Sequence, residues 1–116
     1  MKKTIESYIK LDLQKEQLVA KEFDKFARNF KRDFTRFLVR NGAKAIDISI
    51  GFFFITGYFK LCKDLWFFST GDLRKRKELY IEIDKSTDSK YGMYIPVKDA
   101  DEFIETISQK MLAHSE

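Results

Sequence analysis

The chain predicts an α+β fold: a long N-terminal helix, an antiparallel sheet of four or five strands and a C-terminal helix. Three patterns point there. Apolar residues recur at helical spacing up to Arg40, the period changes to two from Ile46, and helical spacing returns after Asp99. The strands adjoin one another in sequence, so hairpins connect them more simply than crossovers do. A length of 116 residues with 44% hydrophobic content fits one domain around one core. Its parts are a helical segment over 1–42, a sheet over 43–97 and a helix over 98–116.

In residues 1–14, Ile5, Ile9 and Leu13 suit a helix while Ile9, Leu11 and Leu13 suit a strand, and the helix is preferred. From Lys15 to Arg40 the period is plainly helical, with Val19, Phe23, Phe26, Phe30, Phe34 and Phe37 on one side. Asn41 and Gly42 tolerate the left-handed conformation that stops a helix. Ile46, Ile48 and Ile50 then alternate with Asp47 and Ser49, which predicts a half-buried strand.

Gly51 marks a bulge or bend before Phe52 to Ile55, and Gly57 the next turn or kink. Tyr58 to Leu61 and Leu65 to Thr70 read as strands joined near Lys63 and Asp64, with Gly71 and Asp72 ending the second. Arg74 to Lys77, on a loop or strand edge, leads to the strand of Leu79, Ile81 and Ile83. The polar run 85–92 is a hairpin loop before Met93 to Val97, which Pro96 assigns to a sheet edge. Asp99 caps the last helix and Glu102 completes a capping-box pattern. Phe103, Ile104, Ile107 and Met111 form that helix's inner stripe, and residues 114–116 fray.

Catalysis finds little material. With one His and one Cys there is no familiar triad, and the chain lacks a glycine-rich phosphate loop, paired His spacing and a nucleophile elbow. The expectation is a non-enzyme with no catalytic residues, no cofactor and no metal. Asp72, Glu78, Glu82 and Asp84 cluster on neighbouring segments, but their spacing fits a solvated turn and strand face better than a cation site. Cys62 cannot form an intramolecular disulfide and fits a small core residue, so a reducing, cytoplasmic setting is expected. Met1 to Thr4 begins like a signal peptide without the apolar run that should follow, and no stretch is apolar enough to span a membrane.

The richest signal is cationic. Lys21, Lys25, Arg28, Arg32, Arg36 and Arg40 recur every three or four residues on the side opposite the Phe stripe. They extend over roughly 28 Å at helical rise, a length that can follow several phosphates. Pairs between Asp24 and Arg28, Glu22 and Lys25, and Asp33 and Arg36 would neutralise half of the stripe. Residues 1–40 nevertheless hold eleven Lys or Arg against six Asp or Glu, so a positive surplus survives complete pairing. A helix with Phe on one side and cations on the other also fits a membrane surface, but the sheet needs those Phe as its cover, so no membrane is expected.

A second basic run, Arg74, Lys75, Arg76 and Lys77, gains weight if folding sets it beside the stripe. Single-strand binders add exposed rings on which bases stack, and Tyr58, Trp66, Phe68 and Tyr80 are the candidate rings. Phe53 beside Phe54, and Phe67 beside Phe68, make both strand faces apolar; the extra face is then a platform, a second buried layer or a dimer interface. Strand Leu79 to Asp84, the polar loop, the strand Tyr94 to Val97 and the helix with Asp101, Glu102 and Phe103 resemble, in layout, the end of a repeat in the purine-rich-element and related single-strand-binding folds. That resemblance implies single-strand binding and assigns no residue here; the leading long helix departs from its pattern.

These features favour a small binding module whose basic helix engages nucleic acid or a nucleic-acid-handling protein. The alternative is a phage or mobile-element inhibitor of a bacterial defence protein, anti-CRISPR-like, acting by protein–protein contact. A homodimer through the aromatic sheet face is a third reading.

Overall fold

The Phe stripe that makes one side of the long helix apolar also fixes where the sheet lies, because so many large rings need a common cover. In the computed structural model, which describes residues 1–10, 18–74, 78–84 and 93–114, the order is α1 (Lys2–Lys10), α2 (Leu18–Arg40), β1 (Lys44–Ile50), β2 (Ile55–Leu61), β3 (Asp64–Ser69), β4 (Glu78–Asp84), β5 (Met93–Pro96) and α3 (Ala100–His114). The five strands form one antiparallel meander in sequence order, so the fold is α+β as expected. Among the described residues of the helical segment 1–42 there are two helices, α1 and α2. The helical pattern expected over residues 11–17, the loop over 85–92 and residues 115–116 lie outside the described residues, as do the side chains of Val19, Ile83 and His114.

Helices cover one face of the sheet. Phe26, Phe30, Phe34 and Phe37 of α2, Ile5 and Tyr8 of α1, and Phe103, Ile107 and Met111 of α3 share one buried cluster with Phe59, Trp66, Phe68, Leu79, Ile81 and Ile95 of the strands. Phe34 stacks on Phe68 with centroids 4.9 Å apart, joining the middle of α2 to the middle of the sheet. α1 lies against α2, with Tyr8 stacked on Phe26 at 4.8 Å, and meets α3 through Lys2 and Asp101, 3.3 Å apart.

The end of α2 confirms its sequence signal. The Ala43 N–H donates to Leu38 O at 2.9 Å and the Gly42 N–H to Val39 O at 3.0 Å, a Schellman arrangement with Gly42 at φ 89°. At the other boundary, Asp99 Oδ1 accepts from the Glu102 N–H at 2.9 Å and starts α3.

Several local expectations are corrected. Gly57 marks no turn: it sits inside β2, opposite Ile48 and Phe68, where an added Cβ would lie 2.6 Å from the Phe68 ring. Its missing side chain makes room for that ring. The β2–β3 turn is Cys62–Lys63 rather than Lys63–Asp64, and Cys62, at φ 57°, is exposed instead of in the core. β1 starts at Lys44 and carries a bulge between Lys44 and Asp47, with Ala45 at φ 52°. Alternation places Ile50 inward with Ile48, but it ends its strand against Ile55 and stays 37% exposed.

Candidate functional site

Packing the Phe stripe inward forces the cations of α2 outward. Lys21, Lys25, Arg28, Arg32, Arg36 and Arg40 are all exposed, on the side of α2 turned away from the sheet. Arg28 Nη2 reaches Asp24 Oδ2 at 3.0 Å, the expected pair one turn apart. Asp33 does not pair with Arg36. It accepts from Arg32 Nε at 3.0 Å and from the Thr4 hydroxyl of α1, because it sits on the flank of α2 that α1 covers. Burial alone would raise the Asp33 pKa; the hydrogen bonds from Arg32 and Thr4, with the positive charge of Arg32 and the amino terminus, more than offset that and hold it below the usual range.

Among the described residues, Lys21, Lys25, Arg36 and Arg40 make no ion pair. α2 carries seven Lys or Arg against three Asp or Glu, a surplus of four. That equals the +4 of the whole chain, so all other residues together are electrically balanced. That balanced remainder includes the second basic run, Arg74 to Lys77, so α2 is one of two cation-rich segments.

Of the second basic run, Arg74 is described. Arg74 is committed to Asp72, with Nε at 3.0 Å from Oδ1 and Nη2 at 2.8 Å from Oδ2, and its pKa is raised chiefly by that hydrogen bonding. Its guanidinium also lies 5.0 Å from the centroid of Phe52 and 4.8 Å from that of Phe53. Lys75, Arg76 and Lys77 lie outside the described residues. Because the Leu73 N–H donates to Phe53 O at 2.9 Å, this segment is fastened to the β1–β2 turn, where Phe52 is 69% exposed and Phe54 is also on the surface.

The uncovered face of the sheet sorts the four candidate rings. Tyr58 is 50% exposed and Tyr80 is half-buried, both on the open face. Trp66 and Phe68 are 1% and 0% exposed on the helix-covered face, so they are core and not platforms. Strand parity is the reason: Trp66 pairs with Phe59 and Phe68 with Gly57, both inward positions. The rings that do share the open face are Phe67, opposite Tyr58 with centroids 5.2 Å apart, and Tyr94, opposite Tyr80 at 4.8 Å. Burial raises the Tyr80 pKa, with help from its hydrogen bond to Glu82 and the charge there.

Sequence reasoning misses Phe67 and Tyr94, and also Lys44 and Lys60, which the register sets directly opposite each other. A signal exists for Lys60: Tyr58, Phe59, Lys60 and Leu61 alternate, so Lys60 must share the face of Tyr58. β3 carries none, because Leu65 to Phe68 is apolar on both parities.

No group of three potential metal-binding side chains occurs among the described residues, and Asp72 and Glu82 are engaged with Arg74 and Tyr80. No described helix is long and apolar enough to cross a membrane. Comparison with protein-family models, curated proteins and solved structures finds no match.

Proposed function

We propose that this chain is a non-enzymatic binding module that engages the phosphate backbone of nucleic acid through the exposed face of α2. The carrying observation is that all six cations of the α2 stripe are exposed on its outward side and that four of them lack an ion-pair partner among the described residues. Phosphate contacts of this kind release counterions, so affinity falls steeply with salt and depends little on sequence.

The test is fluorescence anisotropy of labelled nucleic acid over a salt series, comparing the wild type with Lys21→Ala/Lys25→Ala/Arg36→Ala. These three cations are chosen because none supports the fold through an ion pair, whereas Arg32 holds Asp33. The log–log salt slope should shrink by about 0.9 for each duplex phosphate that the variant no longer neutralises, or by about 0.7 on a single strand. Unchanged binding by the triple variant would remove α2 as the site, and no binding even at low salt would remove nucleic acid as the ligand.

A second reading draws on the tip formed by Phe52, Phe54 and Ile50, exposed apolar groups beside Arg74. Exposed aromatics with an arginine suit a protein-docking knob. This favours a protein partner, which includes a nucleic-acid-handling protein or the target of an anti-CRISPR-like inhibitor. The two readings separate because only the first gives nucleic-acid binding by the purified chain alone.

A further inference from the structure

The basic stripe does not end with α2. Arg40 closes the helix, the Schellman turn through Asn41 and Gly42 reverses the chain, and Lys44 opens the edge strand β1. Lys44 lies directly opposite Lys60 in β2, and both are exposed. Neither makes an ion pair among the described residues. Like charges at directly opposed strand positions repel each other, and an anion between them would offset that cost. A cleft of about 390 Å³ lies there, lined by Asn41, Gly42, Lys44, Lys60, Leu61 and Cys62. It joins the end of α2 to the open face of the sheet.

Two residues from Lys60 on that same face is Tyr58, about 7 Å along the strand. Its half-exposed ring is supported from the side by Phe67 at 5.2 Å. Cations therefore lead from the outer side of α2, around the β1 edge, to an exposed ring on the opposite side of the molecule. There the exposed Asp47 lies directly across from Tyr58 and leaves the ring face, rather than a phosphate site, as the contact. From this juxtaposition, and resting on the phosphate-binding reading above, we infer that the ligand is single-stranded nucleic acid, with phosphates on Arg36, Arg40, Lys44 and Lys60 and a base stacked on Tyr58.

Two physical arguments select the single strand. A duplex has a persistence length of about 50 nm and cannot bend around a molecule whose smaller extents are 27 and 23 Å. A single strand turns freely at each nucleotide. A duplex also hides its base faces in the stack, whereas an unpaired base presents a face to Tyr58.

The experiment uses the full chain and three probes: oligothymidylate, an abasic strand of the same length, and a duplex. Tyr58→Ala should weaken oligothymidylate binding about 5-fold or more and leave the abasic strand and duplex as in the wild type. Tyr58→Phe should restore the affinity, because the stacking face remains. Lys44→Ala/Lys60→Ala should lower the oligothymidylate salt slope by about 1.4, at about 0.7 for each phosphate, and leave the duplex slope unchanged. Thermal melts check folding, and Tyr58→Leu replaces the alanine variant if that variant does not fold.

Oligothymidylate binding untouched by the Tyr58 and Lys44/Lys60 variants, but weakened by Lys21→Ala/Lys25→Ala/Arg36→Ala, would overturn this inference and leave the α2 reading intact. Equal wild-type affinity for oligothymidylate and the abasic strand would overturn the stacking contact. Binding to none of the three probes would overturn both readings.

Discussion

Asp33 shows how one carboxylate does structural work inside a basic surface. With its side chain 14% exposed, it accepts from Thr4 of α1 and Arg32 of α2, so it ties the two helices together. Its pKa in the folded protein is lowered from the ordinary 3.8, so its contribution is fully present above that value and is lost as pH falls through the folded pKa. Asp33→Asn should therefore cost about 1 to 2 kcal/mol at neutral pH. In urea titrations the gap between variant and wild type should close below pH 3.8; a gap that stays constant in acid would show that the carboxylate's charge is irrelevant. Gly57 is the opposite kind of residue, needed for what it lacks. An alanine Cβ would meet the Phe68 ring at 2.6 Å and the Asp47 carbonyl oxygen at 2.7 Å, and Phe68 is fully buried and stacked on Phe34. Gly57→Ala should lower stability by about 1 to 3 kcal/mol, read from denaturant midpoints. A neutral result would mean that the sheet opens at this point without cost.

At the scale of elements, α2 is the best specified because every local signal agrees: the Phe spacing, the cationic opposite face and the Asn41–Gly42 stop. Gly42 has open space around it but sits at φ 89°, so Gly42→Ala tests conformation without any clash. It should cost about 1 to 2 kcal/mol in the same titrations; Gly42→Asn, which tolerates that region better, should cost less. Equal stability of the two variants would mean that the helix end relaxes into another turn. The same contrast explains what the sequence left open. α2, α3 and the succession of strands were legible because their periods are clean and their stops carry turn residues. The faces of β3 were not, since Leu65, Trp66, Phe67 and Phe68 satisfy either parity, and only the partners Phe59 and Gly57 decide which rings face inward. The bulge at Ala45 was equally hidden, because it depends on how β1 meets β2 and on no residue type with a strong preference. For the candidate site, the six cations of α2 were readable from spacing alone. Lys44 and Lys60 come together only through the strand register.

Across the whole molecule, the fold separates two surfaces by putting its single core between them. The helices present charge on one side, and the sheet presents Tyr58, Phe67, Tyr80 and Tyr94 on the other. α2 alone carries a surplus of four charges, the same as the +4 of the whole chain, although the remainder that balances in sum includes the basic run Arg74 to Lys77. A polyanionic surface reads local density and not the sum, within a Debye length of about 10 Å at moderate salt. Two variants with the same change in net charge separate these quantities. Removing Lys21, Lys25 and Arg36 takes the three charges from the patch, while Lys63→Ala/Lys98→Ala/Lys110→Ala takes three from exposed sites scattered over a turn, the segment before α3, and α3 itself. On a heparin column developed with salt, the α2 variant should elute well before the scattered variant, which should stay close to the wild type. Coincident elution of the two variants would show that the protein meets polyanions through its total charge, and the continuous cationic face of α2 would then serve only to keep that side of the helix in water.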